Sequence, residues 1–192
     1  MEENKNTIVI VGLVISAIVL TVAIGIGVFV LNSPTECGTG DSNMLDLWRA
    51  RNFAGSTFES SIWSNSYSVL PYRVNVAWDA PDLGALASLE YLIFNCGYTA
   101  ADLDEYYSDA NFSQIILSSY ENPQKTKFCQ VDDLRLYEFS ARFGGQDYIL
   151  AQWVKPDGDK RVAGFFMTFP AEDVTGLRAY AEKIFPELPY CP

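Results

Sequence analysis

The chain has 192 residues, with 13 Lys+Arg against 24 Asp+Glu, a formal charge of −11 and no histidine. Without an imidazole there is no Ser-His-Asp or Cys-His machinery and no His-based metal site. An acidic chain with no basic stripe also excludes binding to a phosphate backbone, so nucleic acid is not an expected partner.

Residues 7–31 carry no charge and are almost wholly apolar. As a helix this run reaches about 37 Å at roughly 1.5 Å per residue, more than the roughly 30 Å hydrocarbon core of a bilayer. A cleaved signal peptide has a shorter apolar core followed by a small-x-small site. Pro34, Thr35 and Glu36 before Cys37 do not suit lipidation. The run is therefore predicted to be a transmembrane helix, with the lipid bilayer as its first partner. Lys5 lies in the leader, and no Lys or Arg follows the run until Arg49. This bias predicts a single-pass protein of the cell membrane, N-terminus cytoplasmic and C-terminal domain outside. The predicted layout is a short cytoplasmic tail (1–6), the membrane helix (7–31), a linker rich in Pro, Gly and small polar residues (32–41), and one extracytoplasmic domain (42–192).

Small residues recur four apart along the helix, at Gly12 and Ser16, at Ala17, Thr21 and Gly25, and at Ala23 and Gly27. That spacing lets backbones approach closely in lipid. It points to a helix contact with a second copy or with another membrane subunit. Type IV pilins also begin with a long apolar helix, but they share a Gly before it and a Glu five residues into it. Here Asn6 precedes Thr7 and no acid interrupts the run. A pilus-like or surface-fibre subunit stands as an alternative.

Beyond Glu2, Glu3, Lys5 and Glu36, residues 37–192 carry a formal charge of −9. Cys37, Cys96, Cys129 and Cys191 all lie there, widely spaced and with no C-x-x-C pair. Outside the cytoplasm such a set reads as two disulfides, with three pairings open. Cys96–Cys129 and Cys37–Cys191 is the favoured one, because it pins the C-terminus near the membrane stalk.

In chain order, Met44, Leu45, Leu47 and Trp48 predict a short helix after Ser42. Leu70, Tyr72, Val74, Val76 and Trp78 alternate with other residues, which predicts a strand with one buried face. Leu83, Leu86, Leu89, Ile93 and Phe94 form a stripe that predicts a helix capped by Asp82 and stopped by Gly97. Thr99-Ala100-Ala101-Asp102 reads as a capping box for a second helix with Leu103, Tyr106, Tyr107 and Ala110 inward. Phe112, Ile115 and Ile116 suggest a third, and Pro123 breaks the pattern over 121–127. Residues 134–143 and 148–154 are predicted strands around a Gly144-Gly145 turn. Asp157-Gly158 tips the next turn. Residues 162–169, apolar on both faces, predict a central strand, and Pro170 ends it. Val174, Leu177, Ala181 and Ile184 mark a closing helix that Pro186 stops.

These elements compose an α+β domain, an antiparallel sheet of four or five strands with helices packed on both faces. At fold level the order resembles the α/β/α sandwich of the PsbP type, a likeness of element order without a signature motif.

No Walker A, G-x-G-x-x-G or G-x-S-x-G motif is present, and no cofactor is expected. Asp102, Glu105 and Asp109 share one face of the second helix with Asp104 beside them. They are the candidate metal ligands, but calcium loops need a Gly turn that is missing, so a cap and a solvated face are the preferred reading and no metal site is assigned. Asp132-Asp133 reads as turn chemistry. The 27 aromatic residues are expected mainly to fill the core, with Tyr106, Tyr107 and Tyr137 reaching the surface. Asn111-Phe112-Ser113 matches the N-glycosylation pattern. The reading that results is a membrane-anchored, non-catalytic binding or accessory-subunit protein. The alternative is an extracytoplasmic enzyme using a carboxylate pair drawn from Glu90, Asp102, Glu105 or Glu138.

Overall fold

The computed structural model describes residues 57–70, 73–93, 97–112, 118–158 and 160–192. The membrane run with its small-residue spacing (Gly12, Ser16, Ala17, Thr21, Ala23, Gly25, Gly27), the linker, the helix after Ser42, Cys37, Cys96, Ile115 and Ile116 lie outside those residues. Among the described residues no helix is long and apolar enough to cross a membrane.

Seven strands form one antiparallel sheet: β1 (Ser64–Leu70), β2 (Arg73–Ala80), β3 (Ala85–Ile93), β4 (Glu121–Val131), β5 (Leu134–Phe143), β6 (Gln146–Asp157) and β7 (Arg161–Pro170). Their spatial order is β1-β2-β3-β7-β6-β5-β4. Two meanders, β1 to β3 and β4 to β7, therefore meet at the β3–β7 ladder. The connection between them carries helices α1 (Ala100–Tyr106) and α2 (Asp109–Asn111) from the middle of the sheet to its far edge. After β7 a helix α3 (Val174–Ile184) covers the opposite face. The class is α+β.

Side chains alternate across the sheet, so each face reads as rows. One row on the α3 face runs Val76, Leu89, Phe165, Trp153, Leu136, Cys129 through five ladders. Leu177 and Ala181 of α3, with Phe185 and Leu188 after it, close over this face. Phe185 stacks on Trp153 at 5.1 Å, and Trp153 Nε1 donates to the Leu188 carbonyl at 2.8 Å. The buried indole thus has its polar edge satisfied. The other face packs Leu103, Tyr106, Tyr107 and Phe112 over Tyr137, Phe139, Leu150, Val162 and Phe166.

Several expectations are corrected. The stretch predicted as a helix after Asp82 is a short 3-10 turn, Pro81–Leu83, followed by strand β3. Gly84 takes φ 61° between them, a left-handed conformation that suits glycine. In β3 both faces are apolar or small apart from Glu90, so a helical stripe and a doubly covered strand give the same pattern. β2 likewise is buried on both faces, Arg73, Asn75 and Ala77 included, and not on one. Residues 121–127 are part of edge strand β4, where the pairing slips between Glu121 and Gln124 and again between Lys125 and Lys127. An edge strand with bulges tolerates Pro123. The sheet has seven strands where four or five were expected. Residues 134–143, the central strand β7, the closing helix and the Thr99 capping box form as predicted.

Candidate functional site

The densest buried polar group lies on the α1 face, around the middle of the sheet. Arg73, Asn75 and Gln152 are three of the four buried polar or charged side chains among the described residues. Arg73 of β2 forms an ion pair with Glu90 of β3, with the two side chains 4% and 13% exposed. The row at this level runs Asn75, Glu90, Gly164, Val154, Arg135. Gly164 is the open place in it. A Cβ there would lie 3.0 Å from the Tyr107 hydroxyl and 3.2 Å from Gln152 Nε2. The missing side chain is what lets Tyr107, just after α1, reach the sheet beside Glu90.

Burial pushes the Glu90 carboxyl up to about 7, with the Arg73 guanidinium opposing the rise by charge and hydrogen bond. Burial first, and then the Glu90 charge, raise Tyr106 and Tyr107 well above the ordinary phenol value. Both hydroxyls therefore remain protonated donors across the accessible pH range. Gln152 donates Nε2 to the Trp153 carbonyl at 3.1 Å. Chemically, the group is one carboxyl that titrates near neutrality beside one permanent cation, roofed by two phenols. It holds α1 to the sheet.

The acids named for a carboxylate pair are dispersed. Glu138 belongs to the opposite face, where its Oε1 accepts the Cys191 backbone N–H at 2.8 Å. Asp102 accepts the Thr99 N–H at 2.7 Å and the Thr99 hydroxyl at 2.8 Å, while Thr99 Oγ1 accepts the Asp102 N–H. These bonds hold the Asp102 carboxyl below its usual range. Asp104 pairs with Arg135 at 2.6 Å and Asp109 with Lys125. The Glu105 carbonyl accepts Asn111 Nδ2 at 2.8 Å, so the glycosylation-pattern side chain is engaged in closing α1. Among the described residues no three acids or cysteines gather as a metal-ligand set. Asp132 and Asp133 do form the β4–β5 turn, with Asp132 at φ 48°.

Tyr106, Tyr107 and Tyr137, expected to reach the surface, are buried at 6%, 4% and 6%, so for Tyr106 and Tyr107 the inward assignment from the helix pattern is the one that holds. Tyr107 stacks on Tyr137, meets Tyr106 edge-on, and with Phe112 and Phe139 packed at a tilt completes the layer between α1 and the sheet. The disulfide pairing is also corrected: Cys129 is bonded to Cys191, which displaces both favoured pairs. Cys129 ends the α3-face row, and the chain after α3 returns across that face to meet it. Lys127 Nζ donates to the Cys191 carbonyl at 3.1 Å and secures the same tail. Of the buried group, the sequence singles out only Glu90, as one of four acids; Arg73, Gly164 and Gln152 are missed. The one signal for Arg73 is a charge at the start of a strand whose alternate residues Val74, Val76 and Trp78 are apolar.

No protein-family model matches the chain, and no curated protein matches it in sequence. Among solved structures it is similar to a Pseudomonas aeruginosa protein of unknown function, at 15% identity and TM-score 0.41 over 68% of this chain and 85% of that one. It is also similar to LpqN, involved in cell envelope biogenesis of Mycobacterium tuberculosis, at 11% identity and TM-score 0.39 over 65% and 82%. A STAR-related lipid transfer protein from Xanthomonas axonopodis matches at 9% identity and TM-score 0.30 over 57% and 81%. Likeness at this level carries nothing about chemistry.

Proposed function

We propose that the chain is a single-pass membrane protein whose outer α+β domain is a non-catalytic binding module, an accessory subunit of a larger membrane complex. The observation that carries this reading is the Cys129–Cys191 bond. It ties edge strand β4 to the C-terminal tail, and such a bond persists where the surroundings are oxidising. The 25-residue uncharged run ahead of the domain supplies the tether. Of the four acids considered for catalysis, Asp102 serves as a cap, Glu90 as an ion-pair partner and Glu138 as an anchor for the tail, which supports binding over chemistry.

Blue-native electrophoresis of gently solubilised membranes tests the proposal. A band containing this chain together with other subunits, identified by mass spectrometry, is the expected result. Migration as a lone monomer, or a band holding only this chain, would contradict the accessory role.

A further inference from the structure

The two edges of the sheet differ in a way that matters for association. A sheet edge presents unpaired backbone N–H and C=O groups, and proteins protect such edges with lysines, prolines and bulges. β4 has all three: Lys125, Lys127, Pro123 and two slips of register. β1 has none. Its seven residues pair with β2 in unbroken register from Ser64 to Leu70. Residues 64–69 are all exposed. Ile62, Tyr67 and Val69, at 44%, 56% and 38%, gather three of the seven large hydrophobic side chains exposed among the described residues.

Charge selects the occupant. The stretch from Ser60 to Tyr72 holds no charged residue, in a chain whose formal charge is −11. Two copies of so acidic a chain repel one another over most of their surface. Along β1 they meet without that penalty. The strand is also self-complementary. In an antiparallel pair centred on Tyr67, Tyr67 faces Tyr67, Asn65 faces Val69 and Ser66 faces Ser68. Aromatic and hydroxyl cross-strand pairs are favourable, and nothing opposes like charge to like.

We infer that β1 is a self-association edge. A second copy of this chain adds its own β1 antiparallel about a two-fold axis at Tyr67 and continues the seven-stranded sheet into fourteen. Such an interface is isologous, so a change at one position acts twice. The inference is independent of the accessory-subunit reading, because the pair forms from purified chain alone.

The test uses the full chain in detergent micelles, with its protein mass read by light scattering. The wild type is expected at twice 21.4 kDa. S66K/S68K places lysines opposite one another in both halves of the pair and is expected to halve the mass. S66K/S68E sets the lysine introduced in one copy against the glutamate introduced in the other, and is expected to restore it. A monomeric wild type, an S66K/S68K variant that stays dimeric, or an S66K/S68E variant that does not re-form the dimer would each overturn the inference. A dimer held by the apolar helix would give the second of these results. Hydrogen exchange on the wild type provides a measurement free of folding artefacts. The alternate amides of residues 64–70 that point away from β2 are expected to lose protection on dilution. Protection unchanged by dilution, as when the chain's own residues supply the extra strand, would overturn the inference as well.

Discussion

Arg73 and Glu90 lie diagonally across the β2–β3 ladder and form an ion pair beneath the tyrosines of the α1 layer. Replacing one member of a buried pair leaves the other without its counter-charge. R73M is therefore expected to lower stability by about 3–5 kcal/mol, whereas R73M/E90M, apolar on both sides, is expected to lose much less. Urea unfolding followed by tryptophan fluorescence measures both. Equal losses in the two variants would show that the pair is not a unit.

The same carboxyl sets a pH dependence. Glu90 titrates at about 7 in the folded chain against an ordinary value of 4.5. The folded state holds the proton more tightly. The contribution is therefore complete below pH 4.5 and is lost as pH rises through about 7. Burial raises Asp79 in the same direction. Stability is expected to fall across that window by up to about 3 kcal/mol, and E90Q is expected to flatten the slope. Unfolding midpoints measured across the window in wild type and E90Q supply the check.

Gly164 is a packing position. A methyl group there meets the Tyr107 hydroxyl at 3.0 Å and Gln152 Nε2 at 3.2 Å. G164A is expected to cost about 1–3 kcal/mol through overpacking. G164A/Y107F, which removes the obstructing oxygen, is expected to recover part of that loss in the same unfolding assay.

The bridge makes a covalent expectation. Non-reducing peptide mapping is expected to link the Cys129 and Cys191 peptides. With those two joined, the three pairings open to four cysteines reduce to one, and the remaining bond is expected between Cys37 and Cys96. Closing 62 residues of sequence separation is worth about 4 kcal/mol in the chain-entropy model, the loss expected for C129A/C191A.

The sequence is legible where one physical cause dominates. Thr99 and Asp102 form a capping box whatever surrounds them, and Pro170 and Pro186 punctuate the final helix. Residues 134–143 read as a strand because Tyr137, Phe139, Ala141 and Phe143 alternate with Glu138, Ser140 and Arg142, the period of two that marks one apolar face. β3 is ambiguous because Leu86, Leu89 and Ile93 fit both a helical stripe and a strand covered on two faces. Only its neighbours β2 and β7 decide between those readings. Tyr106 and Tyr137 mislead for a related reason. A phenol is amphipathic, and whether it faces water depends on a roof built by residues distant in sequence. The Arg73–Glu90 pair joins two strands through register, which composition does not encode.

Topology is the most direct test of the membrane-anchored reading. Intact cells are treated with a membrane-impermeant amine reagent, and the carbonate-resistant membrane pellet is mapped by mass spectrometry. Lys155, Lys160 and Lys183, all exposed on the domain, are expected to carry the label without lysis, and Lys5 only after it. Label on Lys5 alone in intact cells, or recovery of the chain in the carbonate wash, would contradict the proposal.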